Sequence, residues 1–238
     1  ASDYITIALN ALKGESDISM ITATFMQIDT AIWAYVAPKN REAVRLAVAN
    51  AAEALLDGAK PGSDNQLQYA RAFANNAVTP AQFDRLKAML DGAVNGLTVD
   101  AELRWYIFIC GVKRGIFGPS EITAEGDRDK TAHGTQYVAY AHAAIPTKEA
   151  KVAAFKSVTT DDLSNTIHSY KCRGFNESIH WDLLEGFVDQ YFDAILKVWE
   201  TKGYEIAETT ATLTFPTWAI SEATVTKAQH WLDVTGKD

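Results

Sequence analysis

Hydrophobic positions along this chain recur mostly with steps of three and four. Ile18, Ile21, Phe25, Ile28, Ile32 and Tyr35 form one such stripe, the pattern of a helix with a single apolar face, and Pro38 is expected to end it. Val44, Ala47, Val48, Ala51 and Leu55 form a second stripe, with Gly58 where a left-handed residue closes a helix. Together they predict a helical hairpin. Ser63 with Gln66, and Thr79 with Gln82, have the spacing at which a side-chain oxygen and an amide cap each other's free backbone donors. With Pro80 at a first helical position, these signals predict helices over roughly 64–77 and 80–91.

Asp100 is predicted to cap a segment running to Arg114, whose centre from Trp105 to Cys110 is apolar on every side and so belongs between layers. A polar stretch from Thr123 to Lys130 leads into Tyr137, Tyr140, Ala141 and Ala144, ended by Pro146. Thr147 caps the next predicted helix, which carries Val152 and Phe155, and Asp161 opens another that closes near Gly174. The last stripes are Leu184, Phe187, Val188, Tyr191, Ile195 and Val198, ahead of Gly203, and then Val225, Ala228 and Leu232 behind a Ser221 cap. Thr210 to Phe215 alternates like a strand but has no partner strand, so it reads as a helix end or loop. The tally is about eleven or twelve short helices with brief connections. The predicted class is all-α, an α-α superhelix of antiparallel helix pairs of the HEAT or armadillo kind, in a single helical domain over 1–238.

Composition narrows the function. The chain has 238 residues with 30 acidic and 22 basic side chains, a net charge of −8; a nucleic-acid partner would call for a basic stripe. At 26.1 kDa, folding buries about 70% of the unfolded chain's surface, so no disulfide or metal is required to hold the core. Cys110 and Cys172 stand apart and read as buried thiols of a reducing compartment, and a cytoplasmic location without a membrane partner is expected. No apolar run approaches the roughly 20 residues needed to span a bilayer. The start at Ala1, without methionine, reads as processing or excision.

Known catalytic patterns are missing. There is no H-E-x-x-H, in which two histidines and a glutamate share a helix face around zinc; His133, His142, His168, His180 and His230 are scattered. His180 with Glu177 is the nearest approach to a His–carboxylate pair and is expected to be a partly exposed helix-end residue. Glycine-rich phosphate loops and serine nucleophile elbows are absent too, and Cys110 lies in an apolar segment that disfavours a thiolate. Glu125, Asp127, Arg128 and Asp129 form a charge cluster that either orients a substrate or is a solvated helix face. Arg104 beside Trp105 either offers a cation and an aromatic surface to a ligand or pairs internally with Glu102 or Asp100.

Several ordered stretches nevertheless resemble one family. They are Pro61-Gly62-Ser63-Asp64 with Gln66-Leu67-Gln68 and Arg71-Ala72-Phe73; Thr79-Pro80 with Asp84-Arg85-Leu86; Leu103-Arg104-Trp105; Asp129-Lys130-Thr131-Ala132-His133-Gly134; and Pro146-Thr147-Lys148-Glu149-Ala150-Lys151. Ser164-Asn165, Gly174-Phe175, Tyr191-Phe192, Val198-Trp199 and Phe215-Pro216 follow in the same order. Their order and spacing resemble the C-terminal helical domain of bacterial, especially actinobacterial, aminopeptidase N, a zinc aminopeptidase. The resemblance implies a superhelix that covers the active site of a separate catalytic domain in the same polypeptide and limits peptide access. It places zinc, its ligands and the catalytic residues upstream of this chain, so that no catalytic residue, metal ligand or cofactor belongs here and the chain alone is expected to be inactive. A chain trimmed at both ends is also implied. Arg104, Arg128, Asp129 and His133, in the best-matching motifs, are the candidates for lining the peptide cavity. The alternative is a freestanding α-solenoid scaffold that binds another protein without catalysis.

Overall fold

In a computed structural model of the chain, residues 1–235 are described. Among the described residues the regular structure is thirteen α-helices and two 3₁₀ segments, an all-α fold. It divides into two compact units, Ala1–Gly111 and Val112–Asp238.

The first unit holds α1 (Ser2–Leu12), α2 (Ile18–Tyr35), α3 (Pro38–Gly58), α4 (Asp64–Asn76), α5 (Pro80–Leu90) and most of α6 (Ala101–Lys113). Consecutive helices from α1 to α4 pack together, and α1 also meets α3 while α2 meets α4. Helix α1 had no counterpart in the hydrophobic reading, because its stripe of Ile5, Ala8 and Leu12 is short and shares the helix with exposed Tyr4 and Ile7. Asp17 starts α2 by accepting from the Ser19 and Met20 amides. Ile21, Phe25, Ile28 and Ile32 are buried as predicted, but Tyr35 is exposed; the extended Val36 takes the last inward position. Pro38 opens α3 rather than closing α2, since its fixed φ suits a first helical turn.

The buried face of α3 lies one residue beyond the predicted stripe, at Arg45, Val48, Ala49, Ala52 and Leu56. The cause is Arg45, a cation that a hydrophobic pattern counts as outward. Its guanidinium lies 4.6 Å from the Trp33 ring centre and donates to Asn76 Oδ1 at 3.1 Å, which supplies the pairing a buried cation needs. Gly58 stays within the helix without a positive φ, and Ala59 leaves it in an extended conformation. Ser63 and Thr79 cap α4 and α5 as predicted, and Asp100 Oδ1 accepts from the Leu103 amide at 2.8 Å to start α6. Leu103, Trp105 and Ile107 to Cys110 are buried around the circumference of α6.

The second unit holds α7 (Pro119–Arg128), α8 (Ala132–Ala143), α9 (Lys148–Thr160), α10 (Asn165–Phe175), a 3₁₀ segment (Ser178–Leu184), α11 (Phe187–Thr201), α12 (Tyr204–Leu213), a second 3₁₀ segment (Thr217–Ala219) and α13 (Glu222–Val234). Helix α10 packs against both α8 and α12, while α9 packs against α8, α10 and α11. Most of the polar stretch from Thr123 is the body of α7, whose buried residues are Ile122 and Glu125, too few for an apolar stripe. Asp161 ends α9, and it is Ser164 that caps α10. Thr210 to Leu213 is the end of α12, matching the helix-end reading. At the centre Phe155, Phe175 and Phe187 pack with ring centroids 5.1 to 5.5 Å apart. Burying rings of this size contributes about 1.5–3 kcal/mol each, which makes this triad the main anchor of α9, α10 and α11.

Candidate functional site

The corner between α7 and α8 carries three of the four predicted site residues. Pro119 occupies the first position of α7, and the Gly118 amide donates to Glu121 Oε2 at 2.9 Å. At the other end of the helix, Arg128 Nε donates to the buried Glu125 carboxylate at 3.0 Å. Asp129 then leaves the helix, and its Oδ1 accepts from the Thr131 amide at 3.1 Å while Thr131 Oγ1 accepts from the Gly134 amide at 3.1 Å. This relay starts α8 directly against Asp129. A Cβ at Gly134 would lie 2.2 Å from the Asp129 carbonyl oxygen, so only glycine permits the approach. His133 is exposed on the first turn of α8, Arg128 is exposed and Asp129 is half-buried. The corner therefore gathers a cation, a carboxylate and an imidazole, with Lys130 paired to Asp127 beside them.

Arg104 belongs to the other unit. It is half-buried on α6, and its Nη1 donates to the Leu90 carbonyl at 2.8 Å, at the end of α5. Glu102 lies 3.8 Å from Arg71 Nη2, and Trp105 is a core residue.

A polar cluster that the sequence did not reveal lies inside the second unit. Lys151 is 0% exposed, and its ammonium donates to the carbonyls of Ala143 (2.9 Å), Gly174 (2.9 Å) and Phe175 (3.0 Å). These are the last carbonyls of α8 and α10, where helix ends leave unpaired acceptors and partial negative charge. All three ammonium protons are thus used. Burial, followed by the neighbouring charge of Lys113, nonetheless lowers its pKa to about 7. His180 is buried, not partly exposed as expected; its Nε2 donates to the Lys113 carbonyl at 2.8 Å. Desolvation, reinforced by Lys151, pushes His180 down to about 3, so the ring is neutral. Glu177 accepts from the Tyr140 hydroxyl and lies 3.5 Å from Lys113. One signal for the cluster was present in the sequence: Lys151 shares a helix face with Phe155 and Val158, four and seven residues on. Cys172 is buried against His168 at 3.8 Å, and burial raises its thiol to about 12, which leaves it inert as a nucleophile.

Among the described residues no group of three or more His, Cys, Asp or Glu side chains is arranged to hold a metal ion, and no helix is long and apolar enough to cross a membrane. The chemistry of the α7–α8 corner is helix capping, ion pairing and hydrogen bonding.

Comparison with known proteins fits a fold of capped, paired helices. The family model for the ERAP1-like C-terminal domain matches residues 1–237. Aminopeptidase N of Streptomyces lividans is 40% identical over 233 residues, which cover 97% of this chain and 27% of that protein. The chain thus spans about a quarter of the length of the curated relative it matches, and with a match running almost from end to end, it belongs to the family of ERAP1-like C-terminal domains.

Proposed function

We propose that this chain is the C-terminal, substrate-gating domain of a zinc-dependent aminopeptidase N, one that removes N-terminal residues from peptides in the cytoplasm. The observation that carries this reading is the 40% identity to an aminopeptidase N over 97% of the chain, matched to only 27% of that enzyme. Zinc and the groups that activate water and hold the peptide amine are assigned to the polypeptide outside this chain. The helical domain covers that catalytic part and admits peptides past polar side chains, among them Arg128, Asp129 and His133 on the second unit and Arg104 on the first. The exposure of Arg128 and His133 at the α7–α8 corner supports a role in meeting polar peptide groups.

The test begins with the gene. Translating in frame upstream of the Ala1 codon is expected to give H-E-x-x-H followed by a glutamate at helical distance, and the encoded polypeptide is expected to release N-terminal residues from peptides in a chelator-sensitive way. A start codon adjacent to Ala1 would overturn the reading and leave a freestanding helical scaffold.

A further inference from the structure

The connection between α5 and α6 carries the one Asn-Gly pair of the sequence, Asn95-Gly96. The Val94 carbonyl accepts from the Leu97 amide at 3.1 Å, and Gly96 has φ +79° while, among the described residues, only glycines have positive φ. Residues 94–97 are thus a type II turn. Glycine is obligatory at 96, since a Cβ there would fall 2.4 Å from Pro61 Cβ and 2.7 Å from the Gly62 nitrogen. Nothing comparable holds the Asn95 side chain. Both residues are exposed, and among the described residues neither that side chain nor the Gly96 amide has a hydrogen-bond partner. The turn is fixed through its backbone instead, by the buried Gln66 of α4, whose Nε2 donates to the Asn95 carbonyl at 2.8 Å.

We propose that Asn95-Gly96 is a self-modification site latched by Gln66. The Gly96 nitrogen is a nucleophile tethered to the Asn95 side-chain amide, so their reaction needs no bimolecular encounter, and glycine has no side chain to shield it. Attack on Asn95 Cγ forms the N–Cγ bond of a five-membered succinimide and expels the side-chain nitrogen as ammonia, which carries away the Gly96 amide proton. Solvent water then opens the ring. Addition at Cγ gives aspartate, and addition at the Asn95 backbone carbonyl gives isoaspartate, with an extra methylene in the main chain. The latch is geometric. Ring closure needs the Gly96 nitrogen in line with Asn95 Cβ, whereas the ψ of about +120° at the second position of a type II turn points it away. Rotating the peptide plane into line pulls the Asn95 carbonyl off Gln66. Either product sets a carboxylate in the cleft that Asp57 and Arg85 also line, and isoaspartate lengthens the backbone where Gly96 has no space against Pro61. Modification thereby loosens the start of α4.

The experiment follows residue 95 in the complete polypeptide encoded by the gene, incubated at neutral pH over days. Tryptic digestion in mild acid, which suppresses further ring closure, releases fragment 88–104, whose mass rises as the amide becomes a carboxylate. An endoprotease that cuts before aspartate but not before isoaspartate separates the two products, and a synthetic peptide of the same sequence gives the rate without the fold. Conversion is expected at residue 95 ahead of every other asparagine of the chain, more slowly than in the peptide. Gln66→Met should accelerate it about threefold to tenfold, the hold of one hydrogen bond. Gln82→Met removes the matching contacts at the start of α5 and should leave the rate unchanged, which controls for general loosening. Asn95→Gln, on the exposed turn, should abolish the mass change and needs no core substitution. An intact residue 95 in the wild type and in Gln66→Met, while the peptide converts, would overturn the site. Wild-type conversion at the peptide's rate, or equal rates in the two glutamine variants, would overturn the latch.

Discussion

Lys151 joins two helices of the second unit, because it supplies donors to the ends of both at once. Replacing it by methionine keeps the volume and strips three buried carbonyls of their donor, an expected loss of about 2–3 kcal/mol at pH 7, from the cost of unsatisfied buried groups. The pH dependence has a definite sign. A lysine lowered from 10.5 to about 7 in the folded state binds fewer protons there than in the unfolded chain between those values, so its burial weighs on stability below about pH 7 and is progressively relieved as pH rises towards 10.5. Denaturant midpoints of the wild type and Lys151→Met, measured at pH 6, 7, 8 and 9, are expected to diverge above pH 7 by up to about 1.4 kcal/mol per unit. A constant difference over that range would mean that the carbonyl cage outweighs burial in holding the proton, since Lys151 would then stay charged in both states. Neither Lys151 nor Arg45 was legible from hydrophobicity, for the same reason: a long cation sits on a helix face that its apolar neighbours define.

Elements follow the local rules of the sequence where caps declare them. The Thr79–Gln82 box and the serine and threonine caps of α4, α8, α9, α10 and α13 all accept from the amide three residues on. Helices without a strong stripe were harder to read: α1 has three inward residues and α7 two, one of them a glutamate. What positions the helices against each other is often a glycine. A Cβ at Gly174 would fall 2.3 Å from the Tyr140 carbonyl oxygen and 3.0 Å from Ala143 Cβ, so α8 and α10 meet backbone to backbone, which brings both helix ends within reach of one ammonium. Gly174→Ala is expected to force the two helices apart and lower the free energy of unfolding by about 1–3 kcal/mol. Thermal denaturation followed by circular dichroism measures this, and Gly14→Ala, whose Cβ would meet nothing within 4 Å, is the control that should change little.

For the molecule as a whole, helix content and class were readable from periodicity, and family membership from the order of its turns and caps. The candidate site was readable only as residue types. Sequence spacing put Arg128 and Asp129 side by side but gave no sign that Asp129 forms the floor on which α8 begins. The exposed cation at this corner gives a kinetic prediction: in the complete polypeptide, on the proposed gating role, Arg128→Ala should raise KM for long peptides by about threefold to tenfold, the net value of one solvent-exposed hydrogen bond. Values for a single-residue amide and kcat for either substrate should stay unchanged. Equal KM values across the length series would remove Arg128 from the peptide path. Beyond the site, Gln66 and Gln82 have a role that capping rules do not encode. Each accepts amide protons at its own helix start through Oε1, and each spends its Nε2 elsewhere, on the Asn95 carbonyl and on Asn50 Oδ1. Helix-start chemistry treats glutamate and glutamine as synonyms, but glutamate has no proton to offer at the second contact. A redesign guided by helix propensity alone would accept Gln66→Glu and Gln82→Glu, keep both helices, and lose the registration of α4 against the turn at Asn95 and of α5 against α3.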